Sequence, residues 1–107
     1  MEKIKTRIME VQVQYLKKQT SESLTEILMK KLDGLEKKYN WLIKANVLFK
    51  IENDKAGEGK ICEIELSAPG PRLFAKAKTD DFEKSLAETI EELQRQLEKR
   101  QGKFVSH

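Results

Sequence analysis

Between Val11 and Leu16 apolar and polar residues alternate, with Val11, Val13 and Tyr15 on one side, which is the two-residue period of a strand. Thr20 or Ser21 then offers a side-chain oxygen that can cap a helix. From there to about Lys38 the period lengthens. Leu24, Ile27, Leu28, Leu32, Leu35 and Tyr39 recur every three or four residues and form one apolar stripe. Gly34 lies inside this helix and weakens it by up to about 1 kcal/mol relative to Ala. Alternation returns in ANVLFKIE (45–52), where Val47, Phe49 and Ile51 share a face. NDKAGEGK reads as a polar loop. ICEIEL (61–66) sets Cys62, Ile64 and Leu66 opposite Glu63 and Glu65.

SAPGPR reads as a turn, because Pro69 and Pro71 have no N–H for a ladder and Gly70 can take positive φ. LFAKAK alternates again, with Leu73, Ala75 and Ala77 as a set. The last helix starts at TDDF, with Thr79 or Asp80 as its cap and Asp80, Asp81 and Glu83 at the positive end of its dipole. Phe82, Leu86, Ile90, Leu93 and Leu97 form its stripe, and Gly102 is expected to fray it and leave KFVSH as a tail. The order is strand, helix, three strands, helix. Two amphipathic helices bury their stripes by packing on one face of a four-stranded sheet, so the fold class is α+β. At 107 residues the chain fits a single domain, 1–107, with its core at about 8–103 and a short tail at 104–107.

Composition adds the nature of the surface. Charged residues make up 36% and the net charge is +3, but the charge is segregated. Residues 1–50 hold 11 Lys/Arg against 6 Asp/Glu, residues 51–94 hold 6 against 11, and the last thirteen hold 4 against 1. Basic ends around an acidic middle point to a polyanionic partner more than the pI does. No run is long enough for a membrane span and no secretory leader is visible, so no membrane is expected as a partner. Cys62 is the single cysteine, which fits a reducing compartment, and the expectation is a soluble cytoplasmic domain.

Candidate chemistry is sparse. The one histidine, His107, is terminal. Cys62 has a strand pattern around it and no activating partner, so it reads as a buried, inert thiol. No His/Cys spacing suits a metal, no glycine pattern cradles a phosphate, and Glu63/Glu65 and Glu91/Glu92 read as solvated acids. Neither an enzyme, a cofactor nor a small-molecule substrate is expected. Basic residues off the stripes are more informative: Lys30, Lys31, Lys37 and Lys38 on the first helix, and Lys84, Arg95, Lys99, Arg100 and Lys103 on the last. Two helices side by side can gather such cations into a ridge or groove suited to RNA or DNA. The competing reading is a solvated surface, with Glu36, Glu92 and Glu98 as local partners. Trp41, in the helix-to-strand turn, can either stack on a base or cover the core edge.

Three stretches together resemble the ribosome hibernation promoting factor family, also called protein Y, ribosome-associated inhibitor or ribosomal subunit interface protein. They are LTEILMKKLDGLEKKY (24–39), ANVLFKIEN (45–53) and DDFEKSLAETIEELQRQLEK (80–99), carrying KLxxLEKKY, VxxKIE and LxRQLxK in the family's order. The resemblance implies the strand–helix–three-strand–helix fold. It also implies binding to the small ribosomal subunit in the channel of messenger and transfer RNA, which idles ribosomes in stress or stationary phase. It carries rRNA contacts onto Lys31, Lys37, Arg95 and Lys99, with Arg100, Lys30 and Lys38 added by proximity. Gly34 stands where relatives often have a basic residue, and Glu92 where many have Lys. The chain looks like a short form, without the added domain of long members, and is expected to be a monomer off the ribosome. The alternatives are a protein-interaction module that regulates a transcription (sigma) factor through the acidic middle, and a homodimer through a strand edge.

Overall fold

The computed structural model describes residues 2–4, 9–17 and 20–105, the first three and the last two through their backbone. The elements are β1 (Glu2–Ile4), β2 (Glu10–Leu16), α1 (Glu22–Lys38), β3 (Lys44–Ile51), β4 (Lys60–Ser67), β5 (Leu73–Thr79) and α2 (Phe82–Val105). The strands lie in the order β1-β2-β3-β4-β5. β2 and β3 are parallel and joined by α1, while the other neighbours are antiparallel. The four long strands and two helices are those the periodicity predicts. β1 is an addition at the edge, paired with Val11–Val13 of β2. Three residues are too few for a period, and backbone pairing leaves little trace in side-chain pattern.

One face of the sheet carries the core. Register aligns Val11, Ala45, Leu66 and Leu73 in one row, Val13, Val47, Ile64 and Ala75 in the next, and Tyr15, Phe49, Cys62 and Ala77 in the third. The helix stripes lie over these rows. Leu28, Leu32, Leu86, Leu93 and Leu97 are fully buried, and each such side chain contributes about 1.5–3 kcal/mol. Phe49 sits at the centre, stacked on Tyr15 at 5.2 Å between ring centroids and edge-on to Phe82 at 5.9 Å. The opposite face is mixed, with Gln12, Asn46, Glu63 and Lys76 beside Leu48 and the half-exposed Phe74. Glu63 lies 3.3 Å from Lys50 Nζ and 3.9 Å from Lys76 Nζ, and Glu65 lies 3.4 Å from Arg72 Nη1. Both read as solvated acids in the sequence; each is in fact paired.

Helix ends follow capping chemistry. Ser21 caps α1, its Oγ accepting from the Leu24 N–H at 3.2 Å. At α2 the cap is Asp81, one residue beyond the expected Thr79 or Asp80: its Oδ2 accepts from the Lys84 N–H at 3.2 Å. Thr79 supports it by accepting from the Asp81 N–H at 3.1 Å. The helix does not fray at Gly102 but continues through Val105. Gly102 has no positive φ, so no left-handed cap ends the helix, and one glycine costs only about 1 kcal/mol. Of the expected tail, Phe104 and Val105 are helical, whereas Ser106 and His107 lie outside the described residues.

Candidate nucleic-acid interface

The two helices form the layer on which the predicted cations sit. Lys30 and Lys31 of α1 lie opposite Ala87–Gln94 of α2, Lys38 lies opposite Glu98, and Trp41 opposite Gln101. These contacts advance together, so the helices run in the same direction and their carboxyl ends meet at one end of the domain. Lys37, Lys38 and Lys103 fall in the last turns, where a helix dipole favours positive charge.

Each predicted residue has its own environment. Lys30 is exposed and Lys31 half-buried on the lip of a shallow cleft of about 420 Å³, shared with Gly34, Leu35, Ala87, Ile90, Glu91 and Gln94. Neither makes an ion pair among the described residues, nor does the exposed Lys99. Lys37 Nζ lies 3.3 Å from Asp33 Oδ2, one turn back. Lys38 Nζ bridges the helices to Glu98 Oε1 at 3.8 Å and lies 5.5 Å from the centroid of the Tyr39 ring. Arg95 donates to one carboxylate oxygen of Glu92 through Nε at 3.1 Å and Nη2 at 2.8 Å. It borders a second cleft, between α2 and β5, where Lys76 and Lys78 lie with Glu88, Glu91 and Glu92. Arg100 donates to the carbonyls of Pro69 at 2.8 Å and Pro71 at 2.7 Å, clasping the β4–β5 turn around Gly70, whose φ is +97°.

The seven cations therefore divide. Lys30, Lys31 and Lys99 are uncommitted, Lys37, Lys38 and Arg95 face carboxylates, and Arg100 holds a turn. The layer brings Lys30, Lys31 and Lys38 to the helix–helix side, while Arg95 borders β5 and Arg100 reaches the β4–β5 turn. Lys76 and Lys78 are neighbours that sequence reasoning did not include; the alternation LFAKAK, which puts both on one face of β5, is the signal that could have found them. Trp41 covers the core edge: its Nε1–H donates to Gln101 Oε1 at 2.7 Å and its ring packs edge-on against Tyr39 at 5.8 Å. Glu36 accepts from the Met9 backbone N–H.

The remaining chemistry is structural. Cys62 is fully buried, and burial pushes its thiol up to about 12, so it stays protonated near neutrality. Among the described residues no His, Cys, Asp and Glu side chains are grouped to hold a metal ion, and no helix is long and apolar enough to cross a membrane.

A mixed sheet in this order, with α1 as the parallel crossover and both helices on one face, defines a small α+β domain, and the same fold recurs in solved structures. One is a ribosomal subunit interface protein from Coxiella burnetii, 24% identical at a TM-score of 0.76, covering 86% of this chain and 97% of its own. Another is the N-terminal domain of Protein Y from Thermus thermophilus, 17% identical at a TM-score of 0.70, covering 83% of this chain and 96% of its own. At these identities the likeness is one of fold. No curated protein matches the chain in sequence. The family described as "Sigma 54 modulation protein / S30EA ribosomal protein" matches residues 3–104, and the chain belongs to it.

Proposed function

We propose that this chain binds the small ribosomal subunit in the channel of messenger and transfer RNA and holds ribosomes inactive in stress or stationary phase. The observation that carries this reading is the match of residues 3–104 to a family described in part as ribosomal. The fold neighbours described as a ribosomal subunit interface protein and as Protein Y agree with it. The helix layer supplies the chemistry. Lys30, Lys31 and Lys99 neutralise rRNA phosphates and release counterions, while Lys37, Lys38 and Arg95 are held by carboxylates that a phosphate must first displace. Phosphate contacts place the protein without reading bases, so the shape of the channel sets specificity. Inhibition is steric occlusion with no bond made or broken. The protein works in the cytoplasm and is a monomer when off the ribosome.

The test is sedimentation of the purified protein with small subunits through sucrose at low and high salt. Comigration at low salt that is lost at high salt is the expected result. Three uncommitted lysines predict a log–log salt slope of roughly −2 to −3, at ~0.7–0.9 per phosphate contact. Absence of comigration at low salt contradicts the proposal. The family description also names sigma 54 modulation, which favours one second reading, a protein-interaction module for a transcription factor. Capture of a polymerase factor and no ribosomal proteins after nuclease treatment would favour that reading.

A further inference from the structure

We infer that Glu92 is an internal stand-in for phosphate that holds Arg95 off the RNA, so that Arg95 joins the interface only when an RNA phosphate displaces this carboxylate. The inference rests on the ribosome-binding reading and concerns the regulation of that surface.

The geometry is specific. Arg95 presents Nε and Nη2 to Glu92 Oε1 at 3.1 and 2.8 Å, directing at it the edge a phosphate would require. The second oxygen, Glu92 Oε2, accepts from Gln96 Nε2 at 3.2 Å. The same Gln96 nitrogen donates to the Phe74 carbonyl of β5 at 2.9 Å. The carboxylate is thereby braced from the sheet edge. Glu92 titrates below its usual value, chiefly through Arg95 and then Gln96, so it remains charged and in place at neutral pH. Arg95 is largely exposed and Glu92 about half exposed, so the pair is displaceable: exposed pairs of this kind shift an equilibrium by about fivefold at most. Glu92 therefore sets the affinity of the surface without abolishing it.

The experiment measures binding of the full chain to purified small ribosomal subunits over a range of KCl, in a double-mutant cycle of Glu92→Gln and Arg95→Gln. Glu88→Gln is the control for charge removed from the same cleft without freeing Arg95, since Glu88 lines that cleft, is exposed, and makes no ion pair among the described residues. Glu92→Gln is expected to tighten binding about three- to fivefold and to steepen the salt slope by ~0.7–0.9, one added phosphate contact. Glu88→Gln should change affinity by less than about twofold and leave the slope alone. Arg95→Gln should weaken binding little in the wild-type background and several-fold more in the Glu92→Gln background. If the wild type binds but Arg95→Gln has the same effect in both backgrounds, or Glu88→Gln matches Glu92→Gln, this inference is wrong and the function stands. If neither wild type nor Glu92→Gln binds, both are wrong. Thermal unfolding of each variant confirms that the comparison is between folded proteins.

Discussion

Gly34 and Gly59 show how differently two glycines act in this domain. Gly34 is exposed inside α1, and an added Cβ would meet nothing within 4 Å. Gly34→Ala should therefore raise unfolding stability in urea by about 0.5–1 kcal/mol through helix propensity. At Gly59 an added Cβ would lie 1.8 Å from the Glu52 carbonyl oxygen, where the Glu52 N–H donates to Gly59 at 2.8 Å. Gly59→Ala should lower stability by about 1–3 kcal/mol in the same measurement, because backbone must move. Neither difference is legible from the sequence, which marks one glycine as a helix weakener and the other as a loop residue. The polar residues Ser85 and Thr89 were equally silent. They lie buried on α2, where Ser85 Oγ donates to the Lys60 carbonyl at 2.6 Å and Thr89 Oγ1 to that of Cys62 at 3.2 Å. An apolar-stripe search passes over such residues because partners folded against or turned along the helix, the β4 backbone, Thr79 and the Ser85 carbonyl, make them acceptable inside.

At the scale of elements, apolar spacing located every long strand and both helices, because the core rows and stripes demand it. Ends and partners depend on chemistry that spacing does not carry. Asp80 and Asp81 are adjacent acids in the sequence, yet Asp81 caps α2 whereas Asp80 lies 3.0 Å from Lys84 Nζ. Asp81→Ala should cost about 1 kcal/mol of stability, and Asp80→Ala should be close to neutral by the same denaturation assay. The β3–β4 loop has a comparable anchor. Asp54 accepts from the Ala56 N–H at 2.8 Å and lies 3.1 Å from Lys78 Nζ on β5, two strands away. These partners, the Ala56 N–H first, hold its carboxyl below its ordinary 3.8. A folded-state pKa below the unfolded value gives stability that is complete above the unfolded value and is lost as pH falls through the folded one. Backbone amide exchange in residues 52–59 should therefore accelerate as pH is lowered below about 4, relative to the rest of the sheet, and Asp54→Asn should flatten that dependence.

The molecule as a whole turns a charge pattern along the chain into one in space. The helix carboxyl ends gather Lys37, Lys38, Lys99, Arg100 and Lys103, while the amino ends carry Glu22, Glu26, Asp80, Asp81 and Glu83. The segregated counts of the sequence show the basic tail but not this polarity, since Glu22 and Glu26 fall in the basic first half. Nor could they show which cations are already occupied, because Lys38–Glu98 spans two helices and Arg100 reaches 31 residues back to Pro69. Tertiary geometry thus narrows the seven candidate contacts to three uncommitted lysines and three that must first leave a carboxylate. The most direct test of the central claim compares two charge-reversed proteins in sedimentation with small ribosomal subunits at low salt. One carries Lys30→Glu, Lys31→Glu and Lys99→Glu on the helix layer. The other carries Lys17→Glu, Lys55→Glu and Lys60→Glu, an equal change in charge at the opposite end of the sheet. Loss of comigration by at least about tenfold in the first, with the second close to wild type, is the predicted result. Equal loss in both, or none in the first, would contradict a ribosome-facing helix layer.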